Sequence, residues 1–240
     1  MKYFEKELLE INKWEHLRKD LFRNEEPEIK LIALTQPLDY SDSSSSVCIT
    51  SESLPGFTAR QSHESKGSYE DDIQLNKKLI FWKHDTPFEA VQYVFHVSGI
   101  SKSLAGQWTR HRTGIGWTFR STRYVDASQN KFIYPALEYL NDEKLVRTTY
   151  KVYESVHSQA LTAYNVLVKN GVKNQEARRL MPVGWSTSAY CYTNARSLRH
   201  FFELRLSSHA EWEIRRLAYM MFNILMEHTP SLFEDLYKGE

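Results

Sequence analysis

Between Gln107 and Tyr124 the chain reads QWTRHRTGIGWTFRSTRY, so Arg110, Arg112, Arg120 and Arg123 all fall within one short stretch. Guanidinium groups stay charged at any accessible pH and repel one another. A fold must therefore either spread these side chains among surface carboxylates or gather them round an anion. Gln107, Arg110 and His111 stand at i, i+3 and i+4, which places them on one face of a helix. Thr113-Gly114-Ile115-Gly116 should break that helix, because glycine is poor in helix interiors and good in turns. Thr113–Arg120 is expected as a flexible loop, with Arg120, Ser121 and Arg123 leading into a β-prone Tyr124-Val125. The expected arrangement is a helix end, a loop and a second basic group folded back on the first. Guanidinium forks beside a hydroxyl and an amide suit a phosphate and a planar, hydrogen-bonding ring.

This concentration of charge is local. The 240 residues hold 31 basic and 30 acidic side chains, a formal net charge of +1. General nucleic-acid binders carry a basic excess, so that class is disfavoured. Aromatics make up 13% of the chain, enough for both core packing and ring-stacking surfaces. Cys48 and Cys191 stand in no CxxC or other metal-type spacing, which points to a reducing compartment and to no metal site. No apolar run approaches the ~18 residues of a membrane span, and the N-terminus is amphipathic rather than a signal peptide. A cytoplasmic protein of one domain is expected.

Along the chain, residues 3–23 carry apolar side chains at roughly helical spacing, closed by Asn24-Glu-Glu-Pro. Residues 30–35 read as a buried strand and 37–46 as a polar loop. Residues 75–83 look helical, His84 to Glu89 is a turn, and 91–97 alternates as a strand ended by Ser98-Gly99. Ser101 is an N-cap candidate for the helix that carries Gln107, Arg110 and His111. A long helix spans 141–170, with Gly171 at its C′ position. A short helix at 174–180 presents Arg178 and Arg179, and 183–193 reads as strand. Asn194 should cap a helix over 195–206 with Leu198, Phe201 and Phe202 on its apolar face. Ser208 and Glu211 read as a capping box for a final long helix. His96 reads as a packing residue and Cys191 as a buried one. No dinucleotide-binding glycine motif, phosphate-binding loop, zinc-protease motif or nucleophile elbow is present. The residues alone lead to a nucleotide-binding protein whose difficult chemistry would be carried by a cofactor.

Five ordered motifs then resemble one family. Gln107-Trp-Thr-Arg110-His111-Arg112, eight residues, and Ser121-Thr-Arg123-Tyr124 is similar to the signature of the flavin-dependent thymidylate synthases. Thr58-Ala-Arg60-Gln-Ser62, His84-Asp-Thr86-Pro87-Phe88-Glu89, Asn194-Ala-Arg196-Ser197-Leu198 with Arg205, and Ser208 to Ile214 match further family segments in order. The resemblance covers 29–238 and leaves 1–28 as an N-terminal helical extension. It implies a mixed α/β (α+β) fold with a central, mostly antiparallel sheet and long helices. It also implies a homotetramer with active sites at subunit interfaces, while the balanced charge and the lack of a long apolar run lead to an expectation of no nucleic-acid or membrane partner. The implied reaction is methylation of dUMP with FAD, NADPH and methylenetetrahydrofolate.

By that match, His84, Thr86, Arg110, His111, Arg112, Asn194, Arg196 and His200 would hold the flavin. Gln107, Trp108, Arg110, Arg120, Ser121, Thr122, Arg123, Arg178 and Arg205 would hold the nucleotide. Arg205 and Ser121 are the catalytic candidates, Arg205 as the cation that polarises the uracil ring. Three positions depart from the family pattern: Phe119 stands where a polar residue precedes the serine, His200 replaces an asparagine, and Ala90 replaces a histidine. Those departures open UMP, or another pyrimidine nucleotide, as an alternative substrate. The competing class is a nucleotide- or RNA-binding module without catalysis.

Overall fold

The computed structural model describes residues 3–21, 23–38 and 49–237, with the backbone of 41–42 and 45–46. Most of the polar loop expected at 37–46, and Cys48, lie outside the described side chains. Two short strands there, β2 (Ser41–Asp42) and β3 (Ser45–Ser46), pair with each other.

The sheet that organises the molecule runs in the order β1-β4-β6-β5 and is antiparallel throughout. Its strands are β1 (Glu28–Leu34), β4 (Gln92–Ser101), β5 (Ile115–Phe119) and β6 (Ser186–Asn194). Alternation decides which face is buried: Tyr93, Phe95, Val97, Ala189 and Cys191 point into the core. Opposite them, Tyr190 and Tyr192 stay part-exposed, and His96 packs its ring 4.9 Å from that of Tyr190. Against the buried face lie α8 (Ala195–Arg205) and α9 (Trp212–His228), through Leu198, Phe201, Phe202, Leu217, Met221 and Phe222. A second cluster forms under α6 (Glu143–Lys169), where Val146, Tyr150, Leu161 and Tyr164 meet Trp14, Leu17, Phe132 and Trp185.

Several boundaries differ from expectation, each for a local reason. The N-terminal segment is two helices, α1 (Glu5–Ile11) and α2 (Glu15–Lys19), broken where Lys13 and Trp14 turn to donate to Leu140 O. β1 is an edge strand rather than a buried one; Lys30 and Ile32 are exposed. After α3 (Leu54–Ala59), α4 spans Tyr69–Phe81 because Ser68 and Asp71 form a capping box six residues ahead of the apolar signal. Strand β4 does not stop at Gly99. That glycine sits at φ +66 in a bulge, and a side chain there would collide with Glu26 O. The expected box at Ser208 is replaced by Glu211, whose carboxylate accepts from Glu213 N and Ile214 N. Asn194 caps α8 as expected, and Gly171 closes α6 at φ +85.

Candidate active site

Two revisions concern the arginine stretch itself. Helix α5 spans Lys102–Trp108, capped by Ser101, and ends before Arg110 and His111, so these two do not share a helical face with Gln107. Turn bonds from Arg110 N to Gln107 O and from His111 N to Trp108 O redirect the chain. The expected loop 113–120 is mostly strand: β5 pairs with β6 from Ile115 opposite Thr193 to Phe119 opposite Ala189. Tyr124-Val125 belongs to a turn, not a strand, with Val125 N donating to Ser121 O.

Strand β5 sorts the cations into two groups. At its start, Arg110, His111 and Arg112 face α8. His111 Nε2 accepts from Arg205 Nε at 3.0 Å, joining residues 94 positions apart. The edge of Phe201 supports the imidazole, with ring centroids 5.1 Å apart. Burial, then the neighbouring Arg205 and His200, push His111 down to about 4. It is therefore neutral near pH 7, which is the state that can accept from a guanidinium. Arg110, His111, Arg112, His200 and Arg205 line a cavity of about 250 Å³. An adjoining cavity of about 720 Å³ is lined by Lys83, Asp85, Glu89, Asn194, Arg196 and Arg199, and shares Thr113, Ser197 and His200 with the first.

The connection between the cavities depends on Gly114. Its φ is +65, and an added Cβ would lie 2.1 Å from Ser197 Oγ and 2.9 Å from Asn194 Nδ2. Only a residue without a side chain lets the backbone approach the N-terminus of α8 this closely. Arg196 forms an ion pair with Glu89, tying α8 to the turn Thr86–Ala90 that Thr86 opens. His84 is exposed beside Trp82.

The second group gathers at the far end of β5. Arg120 N is fixed by Ser188 O. Arg178 Nη1 donates to the buried Thr122 Oγ1 at 3.0 Å, and Arg123 Nε donates to Gln175 of α7 (Asn174–Ala177) at 3.0 Å. Ser121 Oγ accepts from Arg123 N. Lys102 joins them: its Nζ donates to Thr187 Oγ1 at 3.2 Å and lies 6.0 Å from the Phe119 ring centre. Burial and the nearby Arg178 and Arg120 cations pull its ammonium below the usual lysine range. Sequence reasoning missed Lys102. The signal was its place directly after the Ser101 cap, where a strand hands over to a helix.

Trp108, expected among the nucleotide contacts, has its ring in the core. It is 1% exposed and packs its ring against Trp117 inside the core. Gln107 is half-buried and lies beside Glu211. The five residues of β5 lie between the two cation groups, a span of roughly 17 Å at strand spacing. One chain thus presents the two halves apart.

Charge pairing decides between the readings of the arginine stretch. Arg60, Arg147, Arg179, Arg196, Arg199, Arg215 and Arg216 all have carboxylate partners. Among the described residues, Arg110, Arg112, Arg120, Arg123, Arg178 and Arg205 form no ion pair. Three guanidinium groups in each cluster, without counter-charges among the described residues, suit anionic ligands rather than surface ion pairs.

A mixed α/β domain with two unneutralised cation groups beside open cavities has the make-up of a binding site for phosphorylated, planar molecules. The sequence places it further. A family described as thymidylate synthase complementing protein matches residues 30–231, and the chain belongs to that family. Flavin-dependent thymidylate synthase from Thermosipho africanus is 33% identical over 187 residues, covering 70% of this chain and 81% of that protein. The proteins of the same name from Thermotoga neapolitana and Geobacter sulfurreducens are 33% and 31% identical, over 71% and 72% of this chain and 80% and 73% of theirs. Among the described residues no helix is long and apolar enough to cross a membrane.

Proposed function

We propose that this chain is an enzyme that methylates C5 of dUMP, with methylenetetrahydrofolate as the one-carbon donor and an FAD cofactor reduced by NADPH. The observation that carries this reading is the Arg205–His111 pair set among unpaired arginines. His111, kept neutral, engages Arg205 Nε and leaves the two terminal nitrogens of the guanidinium without a protein partner among the described residues. Such a cation beside N3 and O4 of uracil would stabilise the negative charge that develops when C5 reacts.

The residues present fit a flavin nucleotide. Arg110, Arg112 and His200 supply donors, the Gly114 approach leaves room where a side chain would intrude, and the two cavities adjoin. Arg196 and Asn194 line the larger cavity, and Thr86 opens the turn whose Glu89 also lines it. Bound there, reduced FAD would supply the hydride. A protein thiol has no part in this reading. Burial pushes Cys191 up to about 12, so it is a poor nucleophile. Lys102, Arg120, Ser121, Arg123 and Arg178 would take the nucleotide phosphate, each through a group already oriented by a neighbour.

Phosphate group and ring group lie roughly 17 Å apart along β5 within one chain. A homotetramer in which one copy's phosphate cradle faces another copy's Arg205 accounts for this separation. UMP is a second reading: Phe119, whose ring centre lies 6.0 Å from Lys102 Nζ, stands two residues before Ser121, where the family pattern has a polar residue.

The test is the visible spectrum of the purified protein loaded with FAD, titrated with dUMP and, in a separate sample, with UMP. A flavin spectrum perturbed at lower dUMP than UMP concentration supports thymidylate synthesis. The opposite order moves the assignment to UMP. Failure to retain FAD overturns the enzyme reading.

A further inference from the structure

The family match begins at residue 30, and the residues ahead of it are fastened to the segment 126–141, which runs from the second cation group to α6. At the far end of that segment, Lys13 Nζ donates to Leu140 O at 3.0 Å and to Asn141 Oδ1 at 2.7 Å. At the near end, Arg23 Nη1 donates to Ser128 O at 2.8 Å and to Asn130 O at 3.4 Å, and Nη2 donates to Gln129 Oε1 at 3.4 Å. Between them, Phe132 N donates to Arg23 O at 2.8 Å and Glu25 N to Phe132 O at 3.1 Å. Glu26 ties the same stretch to α9 by accepting from Arg216 Nη1 at 2.7 Å.

Arg23 is held on both its main chain and its side chain. Its backbone is left-handed, with φ +65, a conformation that costs a non-glycine residue energy and persists where the surroundings fix it. The pairing with Phe132 fixes it here. Its guanidinium is directed at the carbonyls of the turn 128–130, and a planar fork of charged donors sets direction as well as distance.

The same turn carries the anchor of Arg120. Asp126 O accepts from Arg120 Nη2 at 3.5 Å. The Asp126 carboxylate accepts from Ser128 N at 2.9 Å and Ser128 Oγ at 2.8 Å, which locks the anchor of Arg120 to the anchor of Arg23. Tyr164 OH donates to the same carboxylate at 3.3 Å, so α6 grips the turn from one side and the N-terminal segment from the other. Arg120 N is bonded to Ser188 O, so the backbone of Arg120 belongs to the sheet, while its guanidinium follows the turn.

We propose that Arg23 is a positioning residue for the phosphate end of the nucleotide, holding the turn 126–130 so that the Arg120 guanidinium meets the phosphate. The proposal rests on the assignment of the second cation group to that phosphate. The residues assigned to the flavin lie at the other end of β5, so the effect of Arg23 should fall on the nucleotide alone.

The experiment uses the full-length protein loaded with FAD. dUMP and UMP are titrated into it calorimetrically near pH 7, and the tighter of the two is carried into the variants. Arg23→Ala should raise the nucleotide dissociation constant at least about fivefold and leave that of FAD within about twofold, with an unchanged circular dichroism spectrum. Arg23→Lys, which can still reach one carbonyl, should fall between Arg23→Ala and the wild type. Arg23→Gln replaces the alanine variant if that one does not fold. Arg120→Ala should cost at least about threefold less in the Arg23→Ala background than in the wild type, because the two side chains act through one turn. Nucleotide binding unchanged in Arg23→Ala, equal losses of nucleotide and FAD affinity, or fully additive effects of the two substitutions would each overturn the proposal. A wild type that binds neither nucleotide removes the phosphate assignment and this proposal with it, whereas a binding wild type matched by Arg23→Ala removes the proposal alone.

Discussion

Replacing Gly114 by alanine should cost about 2–4 kcal/mol, whereas the same change two residues on, at Gly116, should be close to neutral. At Gly114 the backbone is left-handed (φ +65), which an L-residue adopts at a cost of ~1–2 kcal/mol. The new Cβ would also arrive 2.1 Å from Ser197 Oγ and 2.9 Å from Asn194 Nδ2. Ser197 Oγ can swing away at ~0.5–1.5 kcal/mol, but displacing Asn194 disturbs the cap of α8, worth ~1 kcal/mol. At Gly116 the φ is not positive, and the nearest atom to an added Cβ is Tyr192 Cδ2 at 3.8 Å, an ordinary contact. The two variants should therefore differ by about 3 kcal/mol, or roughly 6–12 °C in melting temperature for a chain of this size. Urea and thermal unfolding followed by tryptophan fluorescence measure the difference. Adding Ser197→Ala to Gly114→Ala should recover about 1 kcal/mol, the steric part, and leave the conformational part. Equal stabilities for the two single variants would show that the loop absorbs the side chain, and would refute the account of why this glycine stands between the cavities.

Gly106 lies in α5 with no atom within 4 Å of an added Cβ, so Gly106→Ala should raise stability by about 0.5–1 kcal/mol in the same unfolding assay. Glu213 has its folded value raised to about 7, so the folded state holds its proton more tightly than the unfolded chain does. Stability relative to Glu213→Gln should therefore be greatest below pH 4.5 and fall, by on the order of 2 kcal/mol, as pH rises toward 7. His111 has the opposite sign: its folded value is depressed, so its contribution is present above pH 6.5 and is lost as pH falls toward 4. Unfolding of His111→Gln across that window should show a flatter pH dependence. Arg205→Lys should lower turnover of dUMP by ~10²–10³-fold, because an ammonium cannot reproduce a guanidinium held at Nε by His111; steady-state kinetics test this.

The caps at Asn194 and Ser101, the C′ glycine after α6 and the apolar face of α8 were legible because each depends on residues three or four positions apart. The misreadings were of another kind. Ile115 to Phe119 looked like a loop because Gly114 and Gly116 break the local pattern at its start, yet pairing with β6 makes it a strand. Residues 30–35 looked buried because they are apolar, but an edge position exposes Lys30 and Ile32. Ser208 and Glu211 have the spacing of a capping box; the helix starts three residues later because Glu211 itself reaches back to the first amides. In the site, the motif residues were visible as a set. Lys102 was not, since only the fold brings it beside Arg120 and Arg178.

By itself the sequence determined the inventory: which side chains are cationic, where helices can start and stop, and which motifs recur in one family. These follow from residue chemistry and short-range spacing, which the chain carries in any conformation. Only the tertiary structure decided that Arg205 meets His111, that six arginines lack carboxylate partners among the described residues, and that β5 holds the two cation groups apart. Those are contacts between distant segments, and packing of the sheet on α8 and α9 sets them because burial and register are properties of the whole fold.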